Sequence, residues 1–286
     1  MNRAALVILD EIAKALSVLK AEAIRQRQHV KTIDKNVPKI KTAISEYFDY
    51  MRENIYVNRL RGRNTYEMAE NLTDWEAMTE YGRSLLSAKL ADLFSEGSEI
   101  VLREGRLRKG RLDPLGMAAV SWAQKVAAEL IKNITKDTKS GLRRILTEAL
   151  ERGDSIQQIA RRIDSAIGLN ERQILALKNL EKNLIRQGLK PERIQALLER
   201  YARKALRYRA EMIARTETAR ALTAGQIAGY KHMGIKNLKR VEAPDACPEC
   251  APYNGKIYKI TEAEGVLPAH PHCRGTWVAA IITPRR

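Results

Sequence analysis

The sequence predicts a mainly α-helical fold that ends in a small antiparallel β module. Aromatic residues make up only 5% of the 286 residues, and helix-forming residues dominate, a composition that favours helices over a β sandwich or barrel. Apolar residues recur at steps of three and four through most of the chain before Gly234, which is the period of an amphipathic helix. Short β-prone segments separated by glycine and proline follow Gly234, so the change of pattern marks the β module.

Helix boundaries follow from the residues that begin or interrupt the apolar pattern. Pro38 is expected to end or restart the first helix. A further helix is predicted over residues 74–94. Gly153 should end a long helix, after which Asp154 or Ser155 caps a short one. Pro191 should open the last long helix, because proline is tolerated in the first turn.

Three regions are predicted along the chain. Residues 1–112 form an N-terminal helical region, a bundle or arm. Residues 113–233 form a helical domain, and residues 234–286 form a β-rich module that contains every cysteine. The stretch 103–116 is rich in glycine and arginine, which predicts a loop or hinge. It is either a flexible arm that touches phosphates or an ordinary solvated linker.

A stripe of small residues runs along the last predicted helix. Its members are Ala210, Ala214, Thr218, Ala221 and Gly225. Small side chains let another backbone come close, so this stripe predicts a tight helix–helix contact.

The charge balance points to a polyanionic partner. The chain has 51 basic and 34 acidic residues, a net charge of +17, which indicates nucleic acid most simply. A solubilising surface is the alternative. Residues 172–209 hold 11 basic and 3 acidic residues. The side chains predicted to contact double-stranded DNA without sequence preference are Lys178, Lys182, Arg186, Arg193, Arg200, Arg203, Lys204 and Arg207.

Targeting signals are missing from the sequence. No apolar run approaches the roughly 18 residues that a membrane helix needs, and charges interrupt the first thirty residues too often for a secretory signal. We therefore expect a soluble protein, made in a cytoplasm, with no membrane partner.

The three cysteines lie close together in the sequence, which favours a metal site. Their odd number argues against a disulfide framework and for a reducing compartment. Cys247 and Cys250 form a Cys-x-x-Cys turn, and His270, His272 and Cys273 follow after nineteen intervening residues. The predicted ligands are Cys247, Cys250, His270 and Cys273, with His272 as the substitute for His270. Four protein ligands would close the sphere of a structural Zn²⁺ ion, making the β module zinc-knuckle-like; the alternative is unliganded reduced cysteines.

Motifs of metal-dependent and nucleophilic catalysis are missing from the sequence. It has no His-x-Glu of the zinc deaminases, no His-Glu-x-x-His, no P-loop and no Gly-x-Ser-x-Gly. We therefore expect no catalytic residues and no enzymatic activity. One alternative is a zinc-dependent, nuclease-like enzyme, which the His270–His272 pair suggests. Another is a host DNA-binding regulator, which would need a recognisable recognition helix.

The C-terminal half contains an ordered set of motifs: Ile213-Ala214-Arg215-Thr216-Glu217, Asp245, Cys247-Pro248-x-Cys250, Gly255 and Pro268-x-His270-Pro271-x-Cys273-Arg274. In this order the motifs resemble the Mu F-like family of minor head, or head morphogenesis, proteins of tailed bacteriophages. The resemblance covers about residues 141–282. Many members end the last motif with a further cysteine. Gly275 stands there in this chain, which favours His270 as a ligand.

The resemblance implies a low-copy virion protein. Such a protein associates with the portal and with capsid or scaffold proteins during assembly in the host cytoplasm. It is packaged in the capsid interior, where it contacts or accompanies the DNA. The resemblance also marks Arg215, Glu217 and Asp245 as a structural motif. Arg215 or Glu217 either turns inward to tie the helix to the zinc module or forms ion pairs along the helix surface, Glu211 with Arg215 and Glu217 with Arg220.

Overall fold

The computed structural model describes residues 3–105 and 114–280. Within these ranges the chain forms seven α-helices and a three-stranded antiparallel sheet, as the sequence predicts. The helices are α1 (Arg3–Asn54), α2 (Thr65–Asn71), α3 (Trp75–Glu104), α4 (Pro114–Arg152), α5 (Ile156–Ala166), α6 (Glu171–Arg186) and α7 (Pro191–His232). Residues 106–113 of the predicted hinge lie outside the described residues. No helix of the described ranges is both long and apolar enough to span a bilayer.

Pro38 does not end the first helix, so this prediction is wrong. Helix α1 continues through Pro38 to Asn54. Proline in a helix interior costs about 3 kcal/mol, because it lacks the backbone N–H and crowds the preceding turn. Val37 and Ile40 flank it and are only 4% and 1% exposed. Burying side chains of this size contributes about 1.5–3 kcal/mol each, which offsets the local cost.

The chain divides into two compact units that alternate along the sequence. The first comprises the described residues of Met1–Pro38, Leu90–Ala119 and Arg215–Arg286, and the second comprises Lys39–Lys89 and Val120–Ala214. Four long helices, α1, α3, α4 and α7, contribute residues to both units. The three regions predicted from the sequence instead follow chain order, because that prediction placed breaks at glycine- and proline-rich positions.

Helix ends in the second unit confirm the predicted caps. Gly153 follows α4 with φ +69°, a left-handed conformation that glycine adopts without strain. Ser155 then forms a capping box with Gln158: the Ser155 hydroxyl accepts from the Gln158 N–H at 3.3 Å, and the Gln158 side chain accepts from the Ser155 N–H at 2.7 Å. Asn170 caps α6 in the same way, and Pro191 begins α7.

The predicted stripe of small residues is buried in α7, and in the first unit it meets α3. A Cβ placed on Gly225 would lie 1.9 Å from the carbonyl oxygen of Phe94. On the facing helix, a Cβ on Gly97 would lie 2.3 Å from the carbonyl oxygen of Leu222. The two backbones therefore touch at positions that only glycine allows.

The sheet packs against this helix pair. Strand β1 (Asn237–Val241) lies between β2 (Ile257–Lys259) and β3 (Thr276–Ala279), and both pairs are antiparallel. Buried residues of the sheet and its loops share one core with the helices. This core includes Val101, Ile227, Tyr230, Leu238, Cys250, Ile260, Leu267, Cys273 and Trp277. The cysteines thus lie at the border of a packed core.

We predict that Gly225→Ala destabilises the protein although alanine is the better helix former. The added methyl group must displace the Phe94 backbone, and overpacking of this kind costs about 1–3 kcal/mol. The matched control is Gly141→Ala in α4, where the new Cβ meets only the Cδ1 end of the Ile174 side chain. Urea denaturation should show a lower free energy of unfolding for Gly225→Ala alone, and an equal effect of both variants would contradict the close contact.

Candidate metal centre

The first turn of the centre follows β1 and positions two sulfur atoms. The backbone N–H groups of Cys250 and Ala251 both donate to the Cys247 carbonyl, at 3.0 and 2.9 Å. This tight turn keeps Cys247 and Cys250 on the same side of the loop. Such a Cys-x-x-Cys turn is the usual way for two thiolates to reach one metal ion.

The second turn brings His270 and Cys273 to the same place, just before β3. The Cys273 N–H donates to the His270 carbonyl at 3.1 Å. His270 Nδ1 lies 2.7 Å from the Pro271 carbonyl oxygen, which accepts only if Nδ1 carries the proton. The lone pair is then on Nε2, the atom that faces the sulfurs. Metal-bound histidines in proteins are usually oriented by such a hydrogen bond.

The predicted ligands form two overlapping clusters that share Cys250. His270 Nε2 lies 3.2 Å from Cys247 Sγ and 3.0 Å from Cys250 Sγ. Cys273 Sγ lies 3.9 Å from Cys250 Sγ, close to the roughly 3.8 Å that separates two sulfurs on a tetrahedral zinc ion with 2.3 Å bonds. Cys247, Cys250 and His270 form one possible metal-binding cluster, and Cys250, Cys273 and Glu242 form the other. The donor atoms therefore fit a metal ion.

Two further residues bear on the ligand set. His272, the predicted substitute, belongs to neither cluster; it is exposed and has φ +66°. Glu242, which the sequence analysis did not select, is buried beside Cys250 and Cys273. Nothing in the local pattern marks Glu242, because it lies within a β-prone segment, five residues before Cys247, at no usual ligand spacing.

Burial and neighbouring charges give the thiols different acidities. The pKa of Cys250 is raised to about 12, by burial first and then by the negative charges of Cys273 and Glu242. The pKa of Cys247 is lowered, chiefly by a hydrogen bond from the Cys250 backbone N–H. Without a metal ion Cys250 therefore keeps its proton at neutral pH, even with the Arg240 guanidinium 3.3 Å from its Sγ. A bound metal ion would add the positive charge that favours the thiolate.

A buried arginine contacts both clusters. Arg240 in β1 donates from Nη2 to Cys250 Sγ at 3.3 Å and pairs through Nε with Glu242. Both charged residues are buried. A buried ion pair is costly unless its hydrogen bonds are satisfied, and here the second guanidinium nitrogen finds a partner in the sulfur.

Polar contacts hold the turns to each other and to α1. The Arg274 guanidinium lies 3.0 Å from an Asp245 carboxylate oxygen, and this hydrogen bond lowers the pKa of Asp245. Asp245, a predicted motif residue, thus joins the first turn to the second. Lys239 pairs with Glu22 of α1 at 2.7 Å, and the Gln26 side chain donates to the Arg274 carbonyl at 3.1 Å.

A buried polar chain connects β3 with α7 and α1. The Thr276 hydroxyl donates to Gln226 Oε1 at 3.2 Å, and Gln226 Nε2 lies 3.3 Å from His29 Nδ1. The Gln226 amide can donate only if His29 is neutral at Nδ1. Burial lowers the pKa of His29 to about 4, helped by the positive charge of Arg25, so the histidine stays neutral.

The other predicted motif residues lie on α7. Arg215 Nη2 is 2.8 Å from Asp34 Oδ1, and this ion pair joins α7 to α1 within the first unit. Glu217 is buried, and its carboxylate lies 3.7 Å from Arg220 Nη1, three residues further on the same helix. Glu211 pairs with Lys41 of α1 at 2.7 Å.

Two of the predicted DNA-contacting residues lie near a carboxylate, and the other six are exposed basic side chains. Lys178 pairs with Glu148 at 2.5 Å, and Arg203 has Glu199 at 3.8 Å. The other six are exposed: Lys182, Arg186, Arg193, Arg200, Lys204 and Arg207. Arg209, from the same basic stretch, is only 4% exposed and is bound by Asp137 at 2.7 Å and by the Gly168 carbonyl at 2.6 Å. Part of the positive charge is therefore internal.

Comparison with known families supports the resemblance. Residues 140–278 match the family described as Phage Mu protein F like protein. The match includes α5 to α7, strands β1 and β2, most of β3 and both Cys/His turns. No curated protein and no solved structure matched the chain.

We predict that His270→Asn weakens metal binding, whereas His272→Asn leaves it unchanged. The first variant removes the imidazole nitrogen between two sulfurs. The second changes an exposed residue at a left-handed position that asparagine tolerates. Metal content by plasma emission spectrometry and zinc affinity by chelator competition check both. Loss of metal in His272→Asn but not in His270→Asn would reverse the assignment.

Proposed function

We propose that this protein is a minor head protein of a tailed bacteriophage. It associates with the portal and with capsid or scaffold proteins during head assembly, and it remains in the virion interior with the DNA. The observation that carries this proposal is the family match over residues 140–278. That stretch contains the arginine–threonine–glutamate segment of α7 and both turns of the candidate metal centre.

The metal centre is proposed to bind Zn²⁺ and to have a structural role. Its donor atoms are thiolates and an imidazole, which suit zinc better than magnesium or calcium. Cys250 and Cys273 are only 2% and 5% exposed, and their neighbours belong to the core beneath the sheet. A catalytic zinc ion keeps one position open for water or substrate. Burial of these ligands instead favours a closed site that stabilises the β module.

We propose that the protein has no enzymatic activity. A nuclease-like zinc enzyme is the alternative, and it would need His272 or a water molecule at the ion. The exposed, left-handed position of His272 outside both clusters supports the structural role instead.

The proposed DNA contact is a row of basic residues on α7. Arg193, Arg200, Lys204 and Arg207 follow one another at steps of seven, four and three, so they share a face of the helix. At 1.5 Å per residue the row is about 21 Å long. Duplex DNA carries one negative charge per about 1.7 Å of axis, so a row of this length can meet several phosphates.

We predict that the triple variant Arg193→Gln, Arg200→Gln, Lys204→Gln weakens DNA binding and its salt dependence. Three lost phosphate contacts would reduce the slope of log K against log salt by about 2–3. The matched control replaces the exposed Lys125, Lys132 and Lys136 of α4, which have the same steps of seven and four. Fluorescence anisotropy on random duplexes at several salt concentrations measures both. Equal slopes for the two triple variants would remove the α7 row from the proposal.

The virion assignment is tested by where the protein is found. We expect its peptides in mass spectra of purified, nuclease-treated particles, and we expect the tagged protein to co-purify with portal protein from infected cells. A major capsid protein is the positive control and a host cytoplasmic enzyme the negative one. Absence from particles made in a cell that expresses the protein would contradict a packaged head protein.

A further inference from the structure

Glu242 lies where a metal ligand would lie. Its carboxylate, Cys250 Sγ and Cys273 Sγ are all within 4.8 Å of one another. Glu242 is 6% exposed, so all three groups are buried. A carboxylate is rarely buried beside two thiols unless a cation or a hydrogen-bond network compensates it.

Gly275 makes the room for this carboxylate. A Cβ on Gly275 would lie 2.8 Å from Glu242 Oε1 and 3.0 Å from Oε2. Any side chain at position 275 would therefore require this carboxylate to move. The glycine, next to a ligand turn, leaves a ligand-sized space that Glu242 fills.

Glu242 is also held in place. Its backbone N–H donates to Asn254 Oδ1 at 3.0 Å, and Oε1 receives Arg240 Nε. Ligating carboxylates are typically fixed by such a hydrogen bond from an outer residue, and Arg240 fixes Cys250 Sγ at the same time.

The charges of the group balance with one divalent ion. Ionised Glu242, Cys250 and Cys273 carry three negative charges, and Arg240 carries one positive charge. The remaining two negative charges equal the charge of one divalent cation when the further donor is the neutral imidazole of His270, whereas an ionised Cys247 would add a third negative charge. Burial favours such neutral groups of charges, since an uncompensated buried charge is costly.

We propose that Glu242 is itself a ligand of the metal ion, bound through a carboxylate oxygen beside Cys250 and Cys273. A fourth donor comes from the cluster of Cys247 and His270, which keeps the site four-coordinate. The ion would be a divalent metal that accepts mixed sulfur, nitrogen and oxygen donors, such as zinc. This inference rests on the proposed metal centre and adds a residue to its ligand set.

The test uses the full-length protein purified with zinc. Glu242→Gln keeps the shape of the side chain and an acceptor for Arg240 but removes the charged donor. Glu249→Gln is the matched control, an exposed glutamate inside the Cys-x-x-Cys turn. The combined variant Glu242→Ala, Gly275→Cys supplies a thiol from the position that faces the carboxylate. Circular dichroism melting verifies that each variant is folded.

We expect Glu242→Gln to weaken zinc affinity at least about tenfold in chelator competition, and Glu249→Gln to leave it unchanged. X-ray absorption at the zinc edge should show one more sulfur in the combined variant than in the wild type. If Glu242→Gln does not fold, the number of sulfur ligands in the combined variant decides whether Glu242 is a ligand.

Two negative results would be distinguishable. If the wild type binds zinc but Glu242→Gln binds it equally well, and the combined variant gains no sulfur, Glu242 only pairs with Arg240 and this inference is wrong. If the wild type binds no zinc, the proposed metal centre is wrong, and the inference falls with it.

Discussion

The contact of His270 with Cys247 and Cys250 is the constraint on which the C-terminal segment depends. Strands β2 and β3 have three and four residues, and a sheet this small is not stable alone. Between the two turns, β2 contributes three paired residues to the sheet. A metal ion would replace weak thiol–imidazole contacts with coordinate bonds, so its binding free energy becomes folding free energy of this segment. The geometry of the metal site and the stability of the β module therefore depend on each other.

The sheet packs on the helix pair α3 and α7, and backbone contact between these helices fixes their spacing. Gly97 and Gly225 let the two helices touch where any side chain would separate them. Gln226 and Tyr230 follow on α7 and hold β3: Gln226 accepts from Thr276, and the Tyr230 hydroxyl donates to the Trp277 carbonyl at 3.3 Å. The closeness of the helices thus determines where the strand that leaves the second cysteine turn can lie.

Local chemistry explains what the sequence could predict. The capping residue Ser155 and the Cys-x-x-Cys turn act through neighbours a few positions away. The small-residue stripe contacts a distant helix, but its members repeat at helical spacing, so all three patterns are visible in the sequence. Glu242 and the continuity of α1 through Pro38 depend on residues distant in the chain. The cost of an internal proline is fixed by its covalent structure, but whether the helix tolerates it depends on tertiary packing. A glutamate beside two cysteines becomes recognisable only when folding brings it there.

The net charge of +17 supports the DNA proposal only through the basic side chains that are exposed. Net charge treats every arginine alike, yet Arg209 and Arg240 are buried and bind acidic groups, carbonyls or sulfur. Arginine suits such internal positions because its planar group presents several donors and keeps its charge. Phosphate contacts need the opposite arrangement, in which the cation is exposed and its neighbours along the helix repeat at helical spacing. The DNA proposal therefore rests on the α7 row that includes Arg193 and Lys204, and the excess of basic residues alone would not support it.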